Sequence, residues 1–235
     1  MSFKKVLYKR FPFIPVTNLF IGRKIHAIKI KLNEKNIRNS FIDKTNLYAN
    51  AGCGGAGLPD SWINIDYSQY ENVNCVFDCR KDLPFADNTV KGVYTEHFFE
   101  HLDYTNEVPY FLRNCYRVLQ ENGVLRIIVP DAEKYLSGYC SKGWDELKKT
   151  RPLDDDLVDT LMGGKYRSKM QLINEVFRQG GEHKYAWDFE TMKLSLSDAG
   201  FIKIYKMSYG KSHDKKLEID QFVRQPESLY VEAIK

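Results

Sequence analysis

Asn46-Leu47-Tyr48-Ala49-Asn50-Ala51 runs straight into Gly52-Cys53-Gly54-Gly55-Ala56-Gly57, and after Leu58-Pro59-Asp60-Ser61 a second apolar run begins, Trp62-Ile63-Asn64-Ile65-Asp66. Two strands joined through a glycine cluster is the reading that decides the architecture. Gly52-x-Gly54-x-x-Gly57 formally matches the fingerprint that holds a dinucleotide pyrophosphate. That fingerprint works by opening a helix at the glycines, so that backbone N–H groups and the helix dipole meet the phosphates. Here the four residues before the second strand leave no room for such a helix. The acidic residue, Asp66, also follows Gly52 by 14 positions rather than about 20. A nicotinamide dinucleotide is therefore disfavoured. A ligand without phosphates needs only glycines that let it approach the backbone.

Downstream, Val73-Asn74-Cys75-Val76-Phe77-Asp78 predicts a third strand, Thr89-Val90-Lys91-Gly92-Val93-Tyr94 a fourth and Val124-Leu125-Arg126-Ile127-Ile128-Val129 a fifth. Between the last two, Val108, Phe111, Leu112, Cys115, Val118 and Leu119 recur at three- and four-residue intervals. This is one face of an amphipathic helix, with Asn122-Gly123 as its stop. A further helix over about 189–199 follows Asp188 as N-cap, and residues 201–205 and 228–234 predict two closing strands. Such alternation gives an α/β, Rossmann-like fold: a mostly parallel seven-strand sheet with helices on both faces. Residues from about 132 to 187 break the pattern, with helical patches at Leu157 and Leu161 and at Leu172, Val176 and Phe177. A segment this long predicts a helical cap insertion rather than a connector.

Hydrophobic residues make up 43% of the 235, which supports a packed core and one large domain. The 35 Lys and Arg exceed the 31 Asp and Glu by a net +4, unevenly spread. Residues 1–45, a basic N-terminal arm, carry 11 Lys and Arg against Glu34 and Asp43, or +9, leaving −5 on the body at 46–235. The arm is either a solvated basic face or a surface for a phosphate-bearing or membrane partner. Tyr8, Phe11, Phe13 and Phe20 among its cations suit shallow insertion at an anionic bilayer. Its most apolar run, residues 11–22, contains Pro12 and Pro15 and is far short of the roughly 20 residues of a membrane span. It also lacks a signal-peptide cleavage site. Five cysteines, odd in number and without a CxxC pair, argue against disulfides or structural zinc and for a reducing cytoplasm. The expected location is cytoplasmic, with peripheral contact at the inner membrane face through the arm.

Beyond the glycine cluster, several segments resemble the class I S-adenosylmethionine-dependent methyltransferases, in that family's order. Asn50-Ala51-Gly52-Cys53-Gly54 looks like the first motif, with Asn50 where many members carry an acidic residue. Asp66 matches the carboxylate that takes both ribose hydroxyls. Asp78, Cys79 and the following Leu83-Pro84-Phe85-Ala86-Asp87-Asn88 are similar to the adenine segment. Tyr94-Thr95-Glu96-His97-Phe98-Phe99-Glu100-His101-Leu102 resembles the fourth-strand motif, and Arg117-Val118-Leu119 through Asn122-Gly123-Val124-Leu125 the approach to the fifth strand. The nearest subgroup is the small methyltransferases found among polysaccharide-biosynthesis enzymes. The resemblance implies S-adenosylmethionine as cofactor, held by Asn50, Gly52, Gly54, Asp66, Asp78 and the Cys79 backbone. It also implies O-methylation of a glycan or of a small phosphorylated or nucleotide-linked precursor. A non-catalytic scaffold that keeps the fold is the alternative, and an RNA methyltransferase a weaker one; nucleic acid is disfavoured as partner. The fourth strand lacks the Asn/Asp-Pro-Pro-aromatic tetrad that nucleobase amino-methylases use.

A hydroxyl acceptor benefits from a base. His97 leads and His183 is second, with Glu96 beside them, because ligands of open α/β sheets sit at the carboxyl ends of strands. Glu100 and His101 are expected to be structural, in the first turn of a helix. Tyr185 and Trp187 either wall the acceptor or simply pack. No metal site is expected: Asp154-Asp155-Asp156 suits a solvated helix start, and Cys75 and Cys79 suit packing.

Overall fold

The computed structural model describes residues 16–59, 61–160 and 163–235. Tyr8, Phe11, Phe13 and Leu161 lie outside these residues, as does the side chain of Phe20. The chain runs through helix α1 (Val16–Asn39), strands β1 (Leu47–Ala51), β2 (Ile63–Asp66), β3 (Cys75–Val76) and β4 (Val90–Glu96), helix α2 (Glu107–Val118) and strand β5 (Leu119–Pro130). Helices α3 (Ala132–Cys140), α4 (Asp145–Thr150) and α5 (Lys169–Arg178) form the insertion; α6 (Phe189–Asp198), β6 (Lys203–Met207) and β7 (Ser228–Ile234) close the domain. The seven strands lie in the order β3-β2-β1-β4-β5-β7-β6, with β7 antiparallel to both neighbours and the other pairs parallel. The chain reverses its direction of winding between β1 and β4, where open α/β sheets bind ligands. Among the described residues, no helix is long and apolar enough to cross a membrane.

The α2 stripe packs as its spacing predicts, with Val108, Phe111, Leu112, Cys115 and Val118 buried. Its end does not. Leu119 is already extended and pairs with Val90 of β4, and the register shifts before Gly92. Asn122, at φ +61°, and Gly123 therefore lie within β5, where a turn signal marks a bulge rather than a helix stop. Asp188 caps α6 by accepting from Thr191 N at 2.8 Å. Asp154, Asp155 and Asp156 are exposed in a turn, not at a helix start; Asp154 Oδ1 accepts from Val158 N across that turn.

Two buried ion clusters tie later segments to the sheet. Arg126, in the middle of β5, is fully buried and grips Asp220 with Nε (2.8 Å) and Nη2 (2.5 Å), and Glu232 of β7 with Nη1 (2.9 Å). This holds the 208–221 loop on the sheet. The insertion builds its own small core around Tyr135, Leu147, Tyr166 and Leu172 and is fastened by Glu227. That carboxylate pairs with Arg151 and Arg224 and accepts from the Tyr135 hydroxyl, while Arg151 also holds Asp159.

Replacing one partner of a buried pair strands the other's charge. Arg126→Met, which leaves Asp220 and Glu232 without their cation, should lose about 3–5 kcal/mol of stability in denaturant unfolding. Burial alone would raise the Glu227 carboxyl, yet Arg151 above all holds it below its ordinary value. A depressed folded pKa stabilises above the unfolded value and is lost as pH falls through the folded one. The insertion should therefore become protease-sensitive in acid before the sheet unfolds, and Glu227→Gln should show that sensitivity already at neutral pH.

Candidate active site

Residues 52–62 join β1 to β2 without a helix, although parallel strands usually need a helical crossover of about a dozen residues or more. Three asparagines support the short link. Asn50 Nδ2 donates to Asn64 Oδ1 (3.1 Å) and Ala56 O (3.3 Å). Asn64 Oδ1 accepts from Leu58 N (2.9 Å), and its Nδ2 donates to Leu58 O (2.7 Å). Asn74 accepts from Asn64 N and donates to Trp62 O, both at 2.9 Å. The sequence did carry a signal for Asn64 and Asn74, both missed there: polar amides set inside apolar strand patterns. The Asn50 amide donors are committed to this loop.

The loop leaves an open floor. Gly52 has φ +70°, and a Cβ there would fall 2.1 Å from the Phe98 ring, so only glycine lets that ring settle against the backbone. Gly54, at φ +53°, faces open space. Its N–H donates to Asp66 Oδ2 (2.8 Å), and Ser68 N donates to Oδ1 (2.7 Å); each carboxylate oxygen keeps a further lone pair. Asp78 is held by the Arg80 guanidinium in a two-pronged pair (2.8 and 3.0 Å), and Arg80 lies over the Tyr67 ring at 5.3 Å. The Cys79 thiol is buried beside the Gly52 backbone, and burial pushes its pKa well up. Helix α1 faces these residues: His26 Nε2 donates to Tyr67 O (2.6 Å). Ile28, Ile30 and Lys31 line a cavity of about 390 Å³ with Tyr67, Asp78 and Arg80.

On the other side of Phe98 a second site forms. His97 takes the left-handed backbone (φ +53°), which costs a non-glycine residue energy and is found most where function demands it. Phe99–His101 form a 3-10 turn instead of the first turn of a helix, since α2 starts only at Glu107. Glu100 is thereby turned inward and is 2% exposed. His97 Nδ1 lies 3.2 Å and His183 Nε2 3.8 Å from its Oε1, but neither carboxylate oxygen receives an aligned hydrogen bond. The Glu100 carbonyl accepts from Lys184 N (2.9 Å) and Tyr185 N (3.3 Å), which brings the end of the insertion, and His183 with it, onto the turn. His183 Nδ1 donates to Val176 O (2.5 Å) and His101 Nδ1 to Glu182 O (3.1 Å). Burial would raise the Glu100 carboxyl, but His97, backed by His101 and His183, holds it below the ordinary range. Burial pulls His183 below the ordinary imidazole value against the opposing pull of Glu100.

These groups line a polar pocket of about 100 Å³, with Arg151 and Glu227, at the carboxyl ends of β4 and β5. His97 Nε2 meets Ser228 Oγ at 3.1 Å. Glu96 stands apart from the cluster, accepting from Gln221 N (3.1 Å) and Nε2 (2.7 Å). Trp187 is fully buried against Phe99, and Tyr185 stacks on Tyr104 at 4.2 Å; both pack, and neither lines this pocket.

Residues 51–127, from the last residue of β1 through most of β5, match the family model described as a methyltransferase domain. The chain thus has the class I methyltransferase fold, around a stretch that resembles the methyltransferase domain. Among solved structures, an S-adenosylmethionine-dependent methyltransferase of Thermotoga maritima, described as a possible histamine N-methyltransferase, is similar at 14% identity and TM-score 0.51. The match covers 97% of this chain and 98% of that one. Another such methyltransferase, from Archaeoglobus fulgidus, is similar at 17% identity and TM-score 0.49, with both chains fully covered. No curated protein matches the chain in sequence.

The cofactor of a methyltransferase domain of this class is S-adenosylmethionine, and the floor fits it. The space over Gly54 admits a ligand against the backbone, and the free lone pairs of Asp66 suit a vicinal diol. The methyltransferase should bind S-adenosylmethionine in isothermal titration, and Asp66→Ala should weaken that binding at least about tenfold, or ~1.4 kcal/mol. Equal affinity in the two proteins would refute this placement of the ribose.

Proposed function

We propose that the enzyme methylates a hydroxyl of a polar acceptor, a glycan or a small phosphorylated or nucleotide-linked precursor of surface polysaccharide, with His97 as the base. The observation that carries this reading is the polar pocket in which His97 meets a buried carboxylate, one residue from the ring that lies on Gly52. When bound, S-adenosylmethionine supplies an electrophilic methyl group on a sulfonium. The chain's part is to seat the acceptor oxygen and receive its proton. His97 Nε2, whose partner is the exchangeable Ser228 hydroxyl, takes the proton. Glu100, 3.2 Å from Nδ1, stabilises the imidazolium and fixes the ring, the role a carboxylate plays beside a catalytic histidine. The pocket has the size of the reacting end of a sugar rather than of a whole glycan, so the remainder lies across the insertion. His183 backs the carboxylate and is not the base in this reading.

A mass-spectrometric screen of glycans and nucleotide-linked sugars for methyl uptake identifies the acceptor. On that acceptor His97→Asn, which tolerates the left-handed backbone, should lower kcat by about 10²–10⁴ and leave S-adenosylmethionine affinity unchanged. Full turnover in His97→Asn would overturn the base assignment.

A further inference from the structure

Glu100 is an isolated demand. A buried carboxylate ordinarily collects two or more aligned donors or a guanidinium, as Glu227 and Asp220 do here. Glu100 has three imidazoles around it and no aligned hydrogen bond. Two of those imidazoles are set in the way that metal ligands are set. His101 and His183 each have Nδ1 against a backbone carbonyl, Glu182 O and Val176 O. That contact fixes the tautomer with the proton on Nδ1 and leaves Nε2 as a bare lone pair. The two rings meet edge to face, with centroids 4.6 Å apart. One ligand atom from each of Glu100, His101 and His183 lies within 4.8 Å of the other two. A cation with bonds of about 2.0–2.1 Å spaces its ligand atoms roughly 3–4 Å apart, so shifts of less than about an ångström complete the site.

We propose that Glu100, His101 and His183 bind a divalent transition-metal cation of the zinc type. Two imidazoles and one carboxylate suit zinc, cobalt, manganese or iron, whereas magnesium and calcium take oxygen ligands. Three protein ligands leave at least one coordination position for water or an acceptor oxygen, the arrangement of catalytic rather than structural sites. The backbone supports it in advance: Lys184 N and Tyr185 N on the Glu100 carbonyl hold the 3-10 turn and the end of the insertion together. This differs from the sequence expectation of no metal, where Asp154-Asp155-Asp156 and the pair Cys75 and Cys79 came into question and these three residues did not. The cation site stands on its three side chains and not on the acceptor proposed above, so it can hold even where that acceptor is wrong.

The full chain, stripped with a chelator, is titrated with Co²⁺ followed by its visible absorption, then with Zn²⁺ in competition against a chromophoric chelator. One equivalent should bind, and His101→Ala and Glu100→Gln should each weaken binding at least about tenfold with unchanged circular dichroism. Cys140→Ser, which removes the exposed thiol, should bind as the parent does. Because His101 is only partly buried, His101→Ala keeps the test valid if Glu100→Gln misfolds. No binding by the parent chain, or equal binding by His101→Ala, overturns the site. Loss of binding in Cys140→Ser would assign the metal to an adventitious thiol and overturn it as well.

Discussion

A carboxylate buried at the carboxyl end of a parallel sheet is the constraint around which this molecule is organised. Removing an ion from water costs several kcal/mol even after relaxation, and two of the buried clusters meet that cost in different ways. Around Arg126 the solution is complete: a guanidinium with its donors directed at two carboxylates, deep beneath the 208–221 loop. Around Glu100 it is incomplete. The backbone of Glu100 is fully used, binding the end of the insertion to the turn after β4, while its side chain faces imidazoles that do not align with it. The fold thus satisfies one buried carboxylate and leaves the oxygens of another open to a further partner.

The two halves of the active site are linked through consecutive residues. The left-handed turn at His97 sends one ring toward Glu100 and the next, Phe98, onto Gly52. The Phe98 ring occupies the volume that a side chain at Gly52 would need, so the glycine floor and the pocket of His97 and Glu100 share a wall. Movement of Phe98 is therefore felt on both sides. The asparagine ladder of Asn50, Asn64 and Asn74 does on the far side what a crossover helix does elsewhere. It satisfies loop backbone groups that a buried turn would otherwise leave unpaired and keeps Gly54 open above Asp66.

The succession of strands and helices, the α2 stripe and the Asp188 cap were legible in the sequence because each rests on a local pattern: alternation, helical spacing, a capping side chain before a helix. The position of the glycine floor relative to Asp66 was legible for the same reason. Asn122-Gly123 was misread because a turn signal does not say which element it interrupts; pairing of Leu119 with Val90, a long-range contact, decided that. Glu100 and His101 looked like helix residues because the spacing to α2 was invisible, and only a 3-10 turn could rotate Glu100 inward. The cluster with His183, more than eighty residues away, depends on backbone hydrogen bonds that no periodicity encodes. Glu96 sat in the expected segment yet faces Gln221, since neighbours on a strand point to opposite sides.

Charge sorts the two ends of the site. Inside the pocket of His97 and Glu100 the guanidiniums are spent, Arg151 on Asp159 and Glu227 and Arg224 on Glu227. A phosphate entering there would meet no uncommitted guanidinium and would face Glu100 and Glu227 as well. The basic arm does not remedy this, because its described helix packs at the opposite end. α1 lies against Tyr67 and Asp78, with Lys29, Lys31 and Lys35 exposed and Arg38 bound to Asp82 and Glu34. Of the arm's charge, the net +3 of residues 26–39 (Lys29, Lys31, Lys35 and Arg38 against Glu34) thus lies beside the glycine floor. There Arg38 pairs with Asp82 while Asp78 is held by Arg80 and Lys81 of its own segment, and no described residue of the arm lines the pocket under the insertion.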